Sequence, residues 1–154
     1  MAISFELQTQ SDVPASCVFS TLADLRNWGS FAGVTLIGPE RLLAAGDRLD
    51  VRMRVMRRDI ELGCVIRTVN EPTATQHGYV DIRSVEGPFD SRMSGSVVPS
   101  GRGCELTVEV HGIGRGPARV LERPMEFVMQ QWATHQLRHL LTRAAQPDAL
   151  LAPA

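Results

Sequence analysis

Residues 116–145 read GPARVLERPMEFVMQQWATHQLRHLLTRAA, the longest segment with a sustained helical period in the chain. Pro117 follows a glycine and stands where a first helical residue tolerates the loss of its N–H. At about 100° of turn per residue, Leu121, Met125, Val128, Met129, Trp132 and Gln136 fall in one apolar stripe. Arg123, Gln130, Thr134 and Arg138 occupy the far side, and Phe127 and Leu141 lie off the stripe. Pro124 should either kink this helix or mark where a loose first turn becomes regular. Two methionines, a tryptophan and a glutamine make an adaptable face with polar handles. That face is either plain core or the roof of a cavity over a curved sheet.

The strands that such a helix would cover are written upstream. Residues 3–7 alternate apolar and polar, as a half-buried strand does. Ser11-Asp12-Val13-Pro14 reads as a helix start, and Val18, Phe19, Leu22 and Leu25 give that helix an apolar edge. A second short helix is expected to end near Asn27-Trp28-Gly29. From Val34 the period becomes two. Leu49, Val51, Met53 and Val55 alternate with Arg48, Asp50, Arg52 and Arg54. Ile60, Leu62, Cys64 and Ile66 form the next row, then come residues 77–85, with Val80 and Ile82 on one face. Phe89, Met93 and Val97 follow the turn Glu86-Gly87-Pro88, and Cys104, Leu106, Val108 and Val110 follow a turn at Pro99-Ser100-Gly101. Short turns imply antiparallel neighbours. The expected class is α+β: a curved antiparallel sheet of about six or seven strands wrapped around a long C-terminal helix, with two short helices after the first strand. One domain, residues 1–146, and a tail, residues 147–154, are expected.

Composition narrows the function classes. The 154 residues suffice for one substantial core. With 16 basic residues against 17 acidic, the net charge is −1, which argues against a nucleic-acid partner. All basic residues are arginine, which suggests a GC-rich bacterial coding sequence. No window approaches the roughly 18 apolar residues of a membrane span, and the N-terminus does not read as a secretion signal. Cys17, Cys64 and Cys104 form no CxxC pair and read as small buried residues in a reducing compartment. A cytoplasmic monomer or homodimer is expected.

The opening SFELQTQSDVPASCVFSTLADLRNW (residues 4–28), with Asp24 and Trp28 spaced Asp-x-x-x-Trp, and the close after HGIGRGPA (residues 111–118) resemble the START-like, or SRPBCC, superfamily. This is the helix-grip fold of the birch-pollen-allergen type proteins and the bacterial polyketide cyclase/dehydrase group. RSVEGPFDSRM (residues 83–93) resembles the corresponding hairpin of aromatic polyketide aromatase/cyclases. The resemblance implies a deep, mostly apolar cavity between sheet and C-terminal helix, holding a lipid, hormone, polyketide or other flat hydrophobic molecule. Some members of that superfamily cyclise and aromatise; others only bind.

On these grounds Leu49, Val51, Met53, Ile60, Leu62, Phe89, Met93, Met125, Met129 and Trp132 are expected to line a ligand site. Gln136 shares their helical phase and would bond either a ligand carbonyl or strand backbone. A cyclase would need a cation to stabilise an enolate and a group to move protons. Arg67 and Arg83 on neighbouring strands, with Tyr79 and His77, are the catalytic candidates, the arginine role being one the resemblance implies. Strict alternation nevertheless turns Arg67 and Arg83 to solvent unless a bulge resets the phase. His135 and His139 are four apart, but no third ligand or HExxH pattern accompanies them, so no metal and no cofactor is expected. Gly112, Gly114 and Gly116 read as a loop at the cavity mouth rather than a phosphate cradle, because Pro117 lacks an N–H. Glu61, Glu86 and Asp90 read as surface residues, and nothing suggests a nucleophile–His–acid set or paired carboxylates. The expected function is binding of a hydrophobic, polyketide-like or polycyclic molecule. The alternatives are a polyketide cyclase/aromatase closing rings by aldol chemistry in the same cavity and a partner-dependent accessory domain that fills its own cavity.

Overall fold

The alternation in the sequence becomes one seven-stranded antiparallel sheet in the computed structural model, which describes residues 2–29 and 31–146. The expected tail, residues 147–154, lies outside the described residues. The strands are β1 (Ile3–Ser11), β2 (Val34–Ile37), β3 (Arg48–Val55), β4 (Arg58–Asn70), β5 (Gly78–Glu86), β6 (Phe89–Ser100) and β7 (Gly103–Gly114). Their order across the sheet is β1-β7-β6-β5-β4-β3-β2, so the chain meanders from β2 to β7 and β1 closes the far edge. The sheet curls into a half-barrel around the C-terminal helix.

Cross-strand register fixes what faces inward. Ile66, Ile82, Met93, Val110 and Phe5 are successive partners across β4, β5, β6, β7 and β1, forming one apolar row on the concave face. The β5–β6 turn depends on Gly87, whose φ is +118° and whose added Cβ would lie 2.6 Å from the Glu61 carbonyl oxygen.

Helix α1 (Ala15–Leu22) follows β1 and buries Val18, Phe19 and Leu22, as their spacing requires. The second helix expected after it is a single 3₁₀ turn, Leu25–Asn27. Asp24 accepts the Arg26 backbone N–H at 3.0 Å, and Trp28 donates its indole N–H to the Leu22 carbonyl at 2.9 Å. These two bonds bracket the turn, and Trp28 leaves it with extended backbone dihedrals.

The closing segment begins as a 3₁₀ turn, Gly116–Leu121, and becomes regular as α2 (Glu122–Ala144). Pro124 sits in the first turn of α2, where its missing N–H costs nothing. Leu121, Met125, Met129, Trp132 and Gln136 are all buried and Val128 half-buried, while Phe127 is 61% exposed. Gly112 and Gly114 depart from expectation. They belong to β7, opposite Ser91 and Phe89, rather than to a loop. The buried Glu122 carboxylate accepts the Gly114 N–H at 3.0 Å and ties the start of α2 to the end of β7.

Several carboxylates are held below their ordinary pKa. The causes are the Arg26 side chain for Asp24, Arg41 for Asp47, Arg48 for Glu86, Arg115 for Asp90 and the Gly114 N–H for Glu122. A depressed folded pKa contributes stability that is complete above the unfolded value and lost as pH falls through the folded one. Urea midpoints should therefore be flat near neutrality and fall below about pH 4, with the exposed pairs blunted by salt. An unchanged midpoint at pH 3 would contradict this.

Candidate ligand chambers beneath the C-terminal helix

Two small apolar chambers lie between the concave face and the helices. The first is bordered by Val51, Leu62, Cys64, Val110, Met125 and Met129, and also by Ile3, Ser84, Ser91, Arg92, His111 and Gly112. The second is bordered by Leu22, Leu25, Trp28, Leu36, Leu43, Val80 and Val108. Ile82 and Met93 border both and form the partition between them. Each holds about 40 Å³, against the roughly 300 Å³ at which small-molecule pockets begin.

The interior is thus far smaller than the deep cavity implied by the resemblance, and large side chains account for the difference. Trp132 is 1% exposed, and its ring stacks on Trp28 with centroids 5.5 Å apart and planes 26° from parallel. Phe89 and Leu49, both buried, add their bulk to the interior. Beyond the Trp pair, Phe31 stacks on His135 at 3.9 Å. Gln136 donates its amide N–H to the Gly29 carbonyl and accepts the Gly29 N–H at 3.4 Å. These contacts strap the loop after the 3₁₀ turn onto α2.

The expected lining residues divide accordingly. Val51, Leu62, Met93, Met125 and Met129 border the first chamber. Leu49, Met53, Ile60, Phe89, Trp132 and Gln136 are buried but border neither, and the Gln136 amide is engaged with loop backbone. Trp28, Ile82, Val80, Cys64 and Val110 line the chambers without having been expected there. For Ile82, Val80, Cys64 and Val110 the signal is the inward phase of each strand, but only cross-strand register shows which of them meet; Trp28 lies outside the strands, just after the 3₁₀ turn. Burial pushes the Cys64 thiol up to about 11, so it acts as an apolar wall group rather than a nucleophile.

The catalytic candidates lie elsewhere. Arg67 is the extra residue of a β-bulge between Ile66 and Thr68; the bulge resets the phase after it, yet leaves Arg67 itself exposed. Arg83 pairs across strands with Arg92, which pairs with His111. Asp81, buried beneath them, accepts from Arg92 at 3.1 Å and lies 3.5 Å from Arg83. Arg92 also donates to the Tyr79 hydroxyl at 3.0 Å. His77 is exposed at the start of this strand region. Arg67, Arg83, Arg92 and His111 border an open groove that Ile3, Ser84 and Ser91 also line. Where β5 and β6 part, the Ser84 hydroxyl donates to the Phe89 carbonyl at 3.0 Å and accepts the Ser91 N–H at 2.8 Å. Ile3, Ser84, Ser91, Arg92, His111 and Gly112 border both the groove and the first chamber.

Among the described residues no group of three or more His, Cys, Asp or Glu could hold a metal ion, and no helix is long and apolar enough to cross a membrane.

No protein-family model matches the sequence, and no curated protein matches it. Solved structures do. The Zhui aromatase/cyclase from a Streptomyces species is similar with a TM-score of 0.73 at 13% identity, over 94% of each chain. The protein TTHA0849 from Thermus thermophilus is similar with a TM-score of 0.70 at 16% identity, over 92% of this chain and 96% of that one. A START superfamily protein from Mycobacterium smegmatis is similar with a TM-score of 0.63 at 13% identity, over 92% and 96%. The sheet order, the curl around α2 and these likenesses agree: the chain has the START-like helix-grip fold.

Proposed function

We propose that this chain binds a hydrophobic, polyketide-like or polycyclic small molecule between sheet and α2, in bacterial secondary metabolism, where it serves biosynthesis or self-resistance. The carrying observation is the pair of apolar chambers divided by Ile82 and Met93, the first of them roofed by Met125 and Met129. Methionine side chains have three soft torsions and a polarisable sulfur, so this wall can repack around a flat guest. Displacing Met93 would join the chambers into one slot. Affinity would come from apolar burial, with few polar groups fixing orientation. The fold shared with an aromatase/cyclase and a START superfamily protein supports the same reading.

Trp28 borders the second chamber and stacks on Trp132, and these are the two tryptophans of the chain. Titration with a panel of polycyclic aromatic ketones should therefore give saturable quenching of tryptophan emission. No change with any member would refute the proposal.

A second reading, a cyclase or aromatase forming rings by aldol closure in the same interior, draws on the open groove with its three arginines and its common border with the first chamber. Arg67 or Arg83 would stabilise enolate charge, and Tyr79 or His77 would move protons. Under this reading the Arg67→Ala, Arg83→Ala double variant loses product formation from a poly-β-ketone while ring-ketone binding persists. Undiminished cyclisation would remove it.

A further inference from the structure

Among the described residues, the buried polar side chains are paired with one exception. Thr21 donates to the Cys17 carbonyl, Asp81 meets two arginines, Glu122 accepts the Gly114 N–H and Gln136 grips Gly29. Trp28, the other indole, donates to the Leu22 carbonyl. Among the described residues, Trp132 Nε1 is the one buried side-chain nitrogen or oxygen with no hydrogen-bond partner. A buried N–H left unmade costs stability, and such groups are rare enough in folded proteins to require a cause. Phenylalanine or leucine would occupy this position without that penalty.

The position of the orphan donor supplies a cause. Met129, one turn before Trp132 on α2, borders the first chamber, and Trp28, stacked on its ring, borders the second. Trp132 itself borders neither chamber, but these two neighbours of its ring and helix turn do. A flat guest would have to displace Met93 and Trp28 to meet the Trp132 ring and its unpartnered N–H.

Resting on the small-molecule reading above, we propose that the Trp132 indole N–H is the orienting donor of the site. The molecule it recognises is a flat, neutral, apolar compound bearing an oxygen acceptor, such as a ring ketone, quinone or lactone. Arg92 and His111 border the first chamber, but among the described residues the second has no charged one on its border, so an ionised head group there would be stranded. A pure hydrocarbon or plain acyl chain would leave the donor unpaired. A single indole donor accepts no proton and forms no covalent bond, so this role is recognition alone.

Fluorene and 9-fluorenone have the same tricyclic frame and differ by one carbonyl oxygen. The uniformly ¹⁵N-labelled protein gives two indole N–H resonances, assigned with Trp28→Phe. Fluorenone should move the Trp132 resonance downfield as the bond forms, whereas fluorene should not. Fluorenone should also bind about three- to tenfold more tightly than fluorene. In Trp132→Phe that ratio should fall to about one, whatever happens to either affinity alone. Equal binding of the two by the wild type, or a ratio kept in Trp132→Phe, overturns the proposal while leaving hydrophobic binding intact. Binding of neither overturns the small-molecule reading and this proposal with it. If Trp132→Phe fails to fold, the wild-type resonance decides: no downfield movement with saturating fluorenone refutes it.

Discussion

Trp132→Ala is expected to lower the free energy of unfolding by about 3–5 kcal/mol, a large fraction of what a domain of this size has. The side chain is 1% exposed and stacks on Trp28, so its removal opens a cavity and strips one face of a second aromatic ring. A stacked pair adds about 0.5–1.5 kcal/mol beyond its burial. No hydrogen bond is lost, because Nε1 has no partner, and the whole effect is packing. Phe127, 61% exposed on the other side of the same helix, is the control; Phe127→Ala should change stability by less than about 0.5 kcal/mol. Urea denaturation followed by far-ultraviolet circular dichroism measures both. A loss under about 1 kcal/mol for Trp132→Ala would mean that α2 does not seat against the sheet through this residue.

Met93→Ala carries the largest functional effect. Met93 borders both chambers, and with Ile82 it keeps them apart. It is half-buried, so its truncation should cost the empty protein about 2 kcal/mol, the low end for buried methionine. The wild type must spend a comparable amount to swing Met93 aside before a tricyclic guest fits. In the variant that cost is already taken before binding. If about 1.4 kcal/mol of it is recovered in the complex, affinity for a tricyclic ketone rises about tenfold. Ligand at saturation should then restore most of the lost thermal stability, since a ligand selective for the folded state stabilises by mass action. Unchanged or weaker binding would place the ligand somewhere other than these chambers.

How much of this is legible in the sequence depends on how local each feature is. The stripe Leu121, Met125, Met129, Trp132 and Gln136 is a property of one helical segment, and all five are buried where the period puts them. Strand phase is equally local, so Leu49, Val51, Met53, Ile60 and Leu62 turn inward as alternation requires. Alternation also turns Arg67 and Arg83 outward, although the bulge at Arg67 cannot be read from one strand, because a bulge is a relation between two. Gly112 and Gly114 look like loop for the same reason: their place in β7 is set by Ser91 and Phe89, far away in the chain.

The candidate site is less legible than the fold. A resemblance in fold implies a deep cavity, but its volume depends on which large side chains meet across it. Trp28 and Trp132 come from opposite ends of the sequence, and nothing near either announces that they stack. Likewise, Gln136 has the right phase for a ligand, yet the Gly29 backbone reaches it first. Ile82 and Met93 become the partition only through cross-strand pairing. The interior of a half-barrel is thus decided by residues that sequence order keeps apart.

The six methionines allow the central claim to be tested directly. Met93, Met125 and Met129 border the first chamber, whereas Met56 is 70% exposed at the β3–β4 turn. With ¹³C-methyl methionine and a saturating tricyclic ketone, the account predicts that the methyl resonances of Met93, Met125 and Met129 shift together while that of Met56 stays in place. Shifts confined to Met56, or none at any methionine across a panel of such ketones, would contradict it.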